Sequence, residues 1–510
     1  MLGYLWRSKT GVAAVDDTPD FVEAGQSEAA LALAASLPGS VFSEQSTRYH
    51  ESVSSYYSQN CTSQRPGCIV RPRSTQEVST ALKTLRPFID ASFKKQESDA
   101  TSRVQFAVRS GGHAFEHSMS NIDDGIVIDL SLIKTVDVAD DCETTVIGTG
   151  NKWDNVYTKL DAMGLAVSGG RDSSVGVGGL TLGGGISYLS PLMGMVCDNI
   201  VDYEVVLADG TITHATATQN EDLWRALKGG SNNFGIVTHF TSKTVPFGKI
   251  WGGYFYWTAG QMKNLLRAFH EVNRPENFDP HAAGPILAFA YQSALGVKGC
   301  GGSIVYTKPE AWPAVWTPFR KIWRLWSTTG IRSLTSVAQE MHGLAPHGLR
   351  QAVFTTTIKN DLESILHFET LYHEAAEKVK HCYKLTFALT VQPLTRGIFT
   401  KGEPNVLGLE GRDPKDSFVI VLCCPGWTRA EDDQVIITAS KALIEAGEKF
   451  AESRGAGERY RYLNYAAKEQ NPLDGYGHEN LEFMRQVSRK YDPDSIFQRA
   501  VPGGFKLGMY

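Results

Sequence analysis

Two different patterns of apolar positions divide the chain. From residue 106 to residue 240, short apolar runs alternate with glycine-rich turns, and residues 104–108, 125–130 and 202–207 each predict a buried strand. After about residue 247, longer apolar strands alternate with amphipathic helices. The second region predicts strands at 254–257, 286–291, 303–306, 385–391 and 418–423, and helices near 260–270, 362–379 and 433–453. The pattern indicates an α+β protein with two small lobes, followed by a strand-and-helix layer over one cavity.

Further signals suggest how the chain divides into domains. Ser74 followed by Glu77 matches a capping box, and helices are also predicted at 27–36, 153–163 and 480–491. We expect the stretch at 502–505 to return to the first domain. The 510 residues exceed what one core of about 250–300 residues holds. We therefore expect an N-terminal segment at 1–60, a two-lobed domain at 64–247, a second domain at 248–455 and a C-terminal segment at 456–510.

Composition narrows the range of partners. The net charge of −5 gives no basic field for nucleic acid, and no run of 18 apolar residues is present to span a membrane, so we expect neither as a partner. The eight cysteines contain no Cys-x-x-Cys pair, which argues against a disulfide framework and a structural zinc. The apolar stretch at residues 1–9 is too short for a secretion signal, which favours the cytoplasm.

Two glycine-rich segments carry the candidate chemistry. Arg109-Ser110-Gly111-Gly112-His113 lies between two predicted strands, where the glycines allow backbone amides to approach a phosphate closely. Residues 169–185 are nearly half glycine, with valines and leucines interspersed that argue for order. A large flat ligand on this backbone is therefore expected. The segment lacks the strand-to-helix context of a Rossmann dinucleotide site.

The first segment also fits a zinc pattern. His113-Ala114-Phe115-Glu116-His117 matches His-x-x-Glu-His, which needs both histidines on one face of a stable helix. Two glycines precede the stretch, and Asp123-Asp124-Gly125 closes it. We therefore treat the match as accidental and expect no metal.

Taken together, these segments resemble the berberine-bridge-enzyme-like FAD-linked oxidoreductases, within the wider vanillyl-alcohol-oxidase fold. The resemblance rests on residues 109–118 and 169–188, and it continues through 197–199, 205–210, 222–238 and 462–465. Residues 491–507 are similar to the fungal branch of the group. The resemblance implies a two-lobed PCMH-type FAD-binding domain, and a substrate domain with an antiparallel sheet flanked by helices. It also implies a small-molecule substrate and molecular oxygen as the acceptor.

The resemblance assigns residues to the cofactor. In that family the histidine of Arg-Ser-Gly-Gly-His is bonded covalently to the flavin, which raises the flavin's reduction potential, and His113 occupies its position. Many relatives attach the flavin again through a cysteine three residues before Val175, where this chain has Asp172. We therefore expect FAD to be attached through His113 only. The other expected FAD contacts are Arg109, Ser110, Gly111, Gly112, Ala114, Ser118, Gly170, Ser173, Ser174, Gly176, Gly179, Gly184, Gly185, Asn199, Gly235, Val237 and Asn464.

Two residues are expected at the reaction centre. Val175 resembles the small residue that lets oxygen reach the flavin in family oxidases, with plain packing as the alternative. Tyr465 matches a tyrosine that lies beside the flavin ring, where it acts as a base or only packs on the ring. The base alternatively comes from the second domain, where the candidates are Tyr256, Tyr291, Gln292 and Gln392.

The leading hypothesis is an FAD-dependent oxidase of intracellular secondary-metabolite biosynthesis. A base takes a proton from the substrate, hydride passes to the flavin, and oxygen reoxidises it. One alternative is a non-redox dehydratase or cyclase in which FAD is structural. Another is a carbohydrate oxidase, although such relatives usually carry the second cysteine link and a secretion signal.

Overall fold

A computed structural model describes residues 19–94 and 103–508, so the apolar stretch at 1–9 lies outside the described residues. The first sheet contains β1 (Val41–Phe42), β2 (Cys68–Val70), β3 (Phe106–Arg109) and β4 (Ile126–Asp129). Its order is β1-β2-β4-β3; β2, β4 and β3 are parallel, and β1 is antiparallel at the edge. All residues of β2 and β4 are buried, as expected for parallel strands that are covered on both faces.

The second sheet is antiparallel. Its strands are β5 (Val136–Val138), β6 (Thr144–Gly148), β7 (Leu165–Val167), β8 (Ile200–Val206), β9 (Ile212–Thr216) and β10 (Ile236–Pro246). The order is β5-β6-β10-β8-β9, and β7 pairs with the far end of β10. An Asp209-Gly210 turn joins β8 to β9, because Gly210 adopts φ +79° and its amide donates to Leu207 O.

The third sheet is larger and also antiparallel. It contains β11 (Ile250–Thr258), β12 (Ala282–Gln292), β13 (Val297–Tyr306), β14 (Trp326–Ser327), β15 (Gly330–Arg332), β16 (Arg350–Gln351), β17 (Phe354–Lys359), β18 (Thr386–Leu394), β19 (Phe418–Cys423), β20 (Gly426–Trp427) and β21 (Gly457–Glu458). Its main path runs β14-β11-β13-β12-β18-β19-β17-β21. The predicted α+β class, with an antiparallel sheet in the second region, is thereby confirmed.

Alternate residues of the third sheet face two different surroundings. Phe289 of β12 and Cys300 of β13 pack beneath the helices that cover one face, whereas Val305 packs with residues of the second sheet. On the face shared with Val305, Ala288 pairs with Gly301 and Ala290 pairs with Gly299. We call this side of the third sheet, which faces the second sheet and carries small residues along two neighbouring strands, the cleft face.

Sixteen α-helices lie in the described ranges. They are α1 (Glu28–Ser36), α2 (Thr47–Ser54), α3 (Gln59–Thr62), α4 (Thr75–Lys94), α5 (Trp153–Asp161), α6 (Val177–Leu182), α7 (Ser190–Met193), α8 (Glu221–Leu227), α9 (Met262–Val272), α10 (Thr317–Arg320), α11 (Leu334–Gly343), α12 (Leu362–Val379), α13 (Arg396–Thr400), α14 (Asp433–Ser453), α15 (His478–Tyr491) and α16 (Ile496–Arg499). None of them is both long and apolar enough to cross a membrane. Ser74 Oγ accepts a hydrogen bond from the Glu77 amide at 3.2 Å at the start of α4, as the capping box predicts.

The C-terminal part of the described chain contacts two sheets in turn. It begins with β21, which pairs with β17 at the edge of the third sheet. Further along, Asn232 donates to Gly503 O at 3.1 Å and Asn233 donates to Phe505 O at 3.0 Å. Residues 502–505 therefore lie against the segment that precedes β10. The predicted division into four segments stays a prediction.

Candidate active site

The loop after β3 presents consecutive backbone amides. Among the described residues, no protein group accepts a hydrogen bond from the amides of residues 111–114. Gly112 has φ +68°, a left-handed conformation that glycine adopts without steric cost. Ser110 fixes the start of the loop, because its Oγ donates to Thr149 O at 2.6 Å and accepts from the Gly178 amide at 3.1 Å. The loop can therefore hold an anionic group against its amides.

The two glycine-rich segments meet back to back. A Cβ added to Gly111 would lie 2.3 Å from Gly176 Cα, so neither position has room for a side chain. The Arg109 guanidinium is fixed beside the loop, because it donates to the hydroxyls of Ser52 and Ser55. It lies 2.9 Å from where a Cβ on Gly112 would be. In contrast, a Cβ on Gly179 would meet nothing within 4 Å. The second segment therefore borders open space at Gly179.

His113 is held by ring stacking. The Tyr57 ring lies parallel to the imidazole, with ring centroids 3.8 Å apart and an interplanar angle of 13°. His347 contacts Tyr57 edge-on, with centroids 4.6 Å apart. Burial lowers the pKa of His113 to about 4, and the nearby Asp172 carboxylate only partly opposes this. The imidazole is therefore neutral near pH 7, with a lone pair on one nitrogen.

Asp172 and Ser174 lie next to this imidazole. The Ser174 amide and Oγ both donate to Asp172 Oδ1, at 2.8 Å and 2.7 Å. Ser174 Oγ is 3.3 Å from His113 Nε2. On the other side, His342 Nδ1 lies 3.8 Å from Asp172 Oδ1. Asp172 thus occupies a polar cluster instead of providing the thiol of a second covalent link.

Tyr465 is positioned by residues of the second glycine-rich segment. The Arg171 guanidinium donates to the Tyr465 phenol oxygen at 3.0 Å. Asn464 Nδ2 donates to Leu180 O and to the Tyr462 hydroxyl, both at 3.0 Å. Tyr462 also contacts Tyr465 edge-on, with ring centroids 4.8 Å apart. These contacts hold the phenol of Tyr465 beside a cation.

The other candidate bases differ in where they point. Gln392 is 1% exposed, lies on the cleft face of β18, and its Oε1 has no hydrogen-bond partner in the described part of the chain. Tyr256 stacks on Trp326 at the edge of the same sheet. Tyr291 packs on the helix side, where its hydroxyl donates to a backbone carbonyl, and Gln292 is exposed at the end of β12. The placement of Tyr291 and Gln292 argues against either acting in the cleft.

The structure brings residues 109–114, 170–179 and 464–465 together. Asn199 lies apart from them, since its amide donates to the carbonyls of residues 193 and 195. Gly235 and Val237 lie at the start of β10, and Ser118 contacts Gly503. Gly184 and Gly185 form a turn with positive φ values. The assignment of all these residues to FAD stays a prediction.

Sequence reasoning missed three residues near the centre of this cluster. Tyr57 and His347 lie in segments that carry no motif and reach His113 only through tertiary packing. Arg171 lies within the glycine-rich segment, and a lone cation between glycines was the signal that could have identified it. Residues 113–117, whose His-x-x-Glu-His match we treat as accidental, form a loop and not the helix that such a zinc site needs.

These features fit a bound FAD. Residues 111–114 would hold its pyrophosphate through their free amides, because oriented backbone N–H groups favour anions. The open space beside Gly179 leaves room for a flat ring, and the unpaired Gln392 Oε1 can accept a hydrogen bond from a ligand. The neutral His113 imidazole offers a nucleophile beside the same loop.

Comparisons with known proteins also indicate that the chain binds FAD. A family model described as an FAD binding domain matches residues 66–216. The FAD-dependent monooxygenase drtC of Aspergillus calidoustus is 35% identical over 473 residues, which cover 92% of this chain and 87% of that protein. The FAD-dependent monooxygenase tpcD of Cochliobolus heterostrophus is 33% identical over 477 residues, which cover 89% of this chain and 87% of that protein.

Solved structures share the fold. Phl p 4, a grass pollen allergen with glucose dehydrogenase activity, superposes with a TM-score of 0.73 at 16% identity, covering 94% of this chain and 100% of that chain. A variant of it with one isoleucine replaced by valine, described as a glucose oxidase, gives a TM-score of 0.72 at 15% identity, covering 94% and 99%. With its matching domain, its fungal relatives and this fold, the chain belongs to the berberine-bridge-enzyme-like family of FAD-dependent oxidoreductases.

Proposed function

We propose that the protein is an oxidase that removes a proton and a hydride from a small organic molecule of fungal secondary metabolism. In this proposal FAD is attached through His113 alone, and dioxygen accepts the electrons. The observation that carries the proposal is the hydrogen bond from Arg171 to the Tyr465 phenol oxygen. Arg171 belongs to the same short segment as Ser174, which contacts His113, and Val175. One short segment, residues 171–175, therefore contacts both His113, the proposed attachment residue, and Tyr465, the proposed proton acceptor.

Tyr465 is the proposed proton acceptor. Bound FAD supplies a two-electron acceptor for the hydride. The Arg171 guanidinium stabilises negative charge on the phenol oxygen, since a charge-assisted hydrogen bond is stronger than a neutral one. Asn464 holds the turn that carries Tyr465 by donating to Leu180 O. A positioned base of this kind contributes a rate factor of about 10²–10⁴.

The cleft face of the third sheet favours a flat substrate with a hydroxyl group. Ala288 pairs with Gly301 and Ala290 with Gly299, so these four positions carry small side chains, and the Tyr254 ring of the neighbouring strand β11 lies over Gly301. Gln392 offers an unpaired, buried amide oxygen on the same face, which can accept a hydrogen bond from a substrate hydroxyl. The fungal relatives named as FAD-dependent monooxygenases support a secondary-metabolite substrate.

Val175 is the proposed point of oxygen access. Its side chain is partly buried against the core of the FAD-binding part of the chain. The grass pollen protein is a glucose dehydrogenase, and its variant with valine in place of isoleucine is a glucose oxidase, so a valine in this fold is compatible with oxygen as acceptor. Loss of one methylene group opens the space that a small diatomic molecule needs.

The covalent link has a direct test. After acid precipitation, we expect the flavin to stay with the protein, because an N–C bond survives denaturation. In the His113→Ala variant, all flavin should appear in the supernatant. Release of flavin from the wild-type protein would contradict attachment through His113.

The redox reaction is tested by mixing substrate with the enzyme without oxygen. We expect the yellow flavin absorbance to bleach, and one hydrogen peroxide to form per product when air is admitted. Product formation without bleaching would instead indicate a dehydratase or cyclase in which FAD is structural. Monooxygenation is the second candidate, because the fungal relatives carry that name. Labelled oxygen from isotopic dioxygen in the product, without peroxide, would establish it.

A further inference from the structure

The hydrogen bond from Ser174 to Asp172 favours a hydrogen on Nε2 of His113. The Ser174 hydroxyl has one hydrogen, and the Asp172 carboxylate, 2.7 Å away, can only accept it. Ser174 Oγ therefore accepts from His113 Nε2, which is 3.3 Å away. A neutral imidazole carries one N–H. With this hydrogen on Nε2, the lone pair lies on Nδ1.

We propose that Ser174 and Asp172 form a proton relay for His113, so that Nδ1 of the imidazole bonds the flavin while Nε2 releases its proton. The inference rests on the covalent link proposed above. Ser174 and Asp172 act here as positioning and proton-accepting residues for cofactor attachment, and they take no part in substrate turnover.

The atoms and electrons of attachment balance through this relay. One N–H bond of His113 and one C–H bond of the flavin methyl group are replaced by an N–C bond, with release of two protons and two electrons. The electron pair passes to the flavin ring and then to dioxygen, which becomes hydrogen peroxide. Bonding at Nδ1 leaves the imidazole a cation until Nε2 loses its hydrogen. Ser174 accepts that proton and passes its own to Asp172.

The surroundings support both the ring orientation and the exit of the proton. Tyr57 stacks on the imidazole with centroids 3.8 Å apart, which keeps the ring in the plane that directs Nε2 at Ser174. His342 Nδ1 lies 3.8 Å from Asp172 Oδ1, and the His342 side chain is 41% exposed. The proton therefore has a route from Asp172 towards solvent.

The relay is tested by the rate of attachment in the full-length protein. Apoprotein made under flavin depletion is mixed with FAD in air, and flavin fluorescence on denaturing gels gives the covalent fraction over time. We expect Ser174→Ala and Asp172→Asn to slow attachment by about 100-fold, the lower range for a positioned base, when the rate is expressed per FAD bound by each variant. Ser174→Thr keeps the hydroxyl and should restore most of the rate. His113→Ala is the unattached control.

The outcomes separate the relay from the covalent link itself. Wild-type attachment rates in both Ser174→Ala and Asp172→Asn would overturn the relay and leave the link through His113 intact. A wild-type protein without covalent flavin would overturn both. If a variant fails to bind FAD, the identity of the bonded nitrogen in the wild-type protein still tests the inference. Proteolysis followed by NMR of the flavin-bearing peptide identifies the bonded nitrogen, and a bond at Nε2 would overturn the inference.

Discussion

The close contact between Gly111 and Gly176 allows a quantitative prediction about the stability of the protein. A Cβ on Gly111 would lie 2.3 Å from Gly176 Cα and 2.6 Å from its amide nitrogen. Carbon atoms pack at about 3.5–4.0 Å, so Gly111→Ala must push the two backbone segments apart by about 1 Å. Gly111 has no positive φ, which leaves the steric contact as the cause of any effect. Both segments are backbone, so a change of side-chain rotamer cannot relieve the contact.

The expected cost follows from this displacement. Forcing extra atoms into a packed site costs about 1–3 kcal/mol, which corresponds to a fall in melting temperature of about 2–10 °C for a unit of this size. Gly179→Ala should not lower the melting temperature of the apoprotein, because its Cβ meets nothing within 4 Å and alanine is favoured over glycine inside a helix such as α6. If FAD lies in that open space, the same substitution should weaken FAD binding at least about tenfold, or about 1.4 kcal/mol.

The assay combines thermal unfolding of the apoprotein with titration of FAD. Titrations use a His113→Ala background, so that binding is reversible and a dissociation constant is defined. Gly260→Ala is the matched control, because its Cβ also meets nothing within 4 Å and it lies in the turn just before α9, which packs on the helix side of the third sheet. A Gly111→Ala protein that melts at the wild-type temperature would refute the close contact. Unchanged FAD affinity in Gly179→Ala would refute the placement of FAD beside Gly179.

Three further outcomes test the reaction centre and the fold. Tyr465→Phe should lower the rate of anaerobic flavin reduction by about 10²–10⁴-fold with little change in substrate affinity, and an unchanged rate would place the base elsewhere. Val175→Leu should slow reoxidation by dioxygen by about tenfold while anaerobic reduction keeps its rate, as measured by stopped flow, and equal slowing of both steps would point to a packing role. The hydrogen bond from His239 lowers the pKa of Glu204 to about 2 from an ordinary 4.5, so Glu204 stabilises the fold above pH 4.5 and this contribution is lost as pH falls towards 2. Urea unfolding at about pH 7 and about pH 3 should therefore show a smaller loss of stability for Glu204→Gln than for the wild type, and equal losses would contradict the assignment.

The sequence predicts elements whose pattern is local. The helices predicted at 362–379 and 433–453 coincide with α12 and α14, because a repeat of 3.6 residues on one face needs no distant partner to be recognised. The glycine-rich loop after β3 and the capped start of α4 were likewise predicted from residues within a few positions of one another. The fold class follows from such local signals, and the cofactor class follows from the family that the glycine-rich motifs resemble.

The arrangement of the candidate site depends on contacts that no local pattern encodes. Tyr57 reaches His113 only because the loop after β3 packs on the segment between α2 and α3. Arg171 meets Tyr465 across 294 positions of sequence, because the C-terminal part pairs with the edge of the third sheet through β21 before it reaches Arg171. The exclusion of Tyr291 likewise needed the strand orientation, because a shift of one residue in β12 reverses the face on which a side chain lies.

The two faces of the third sheet have different roles. Residues on one face stabilise the fold, and residues on the other can change with the substrate. Phe289 and Cys300 on the helix side belong to a packed core, where a change in volume lowers stability. Ala288 and Ala290 on the cleft side are partly accessible, so that larger or polar side chains there would reshape the cavity without disturbing that core. Selection can therefore act on these cleft positions almost independently of folding. Related enzymes of this architecture could acquire new substrates by a few substitutions on one side of a single sheet.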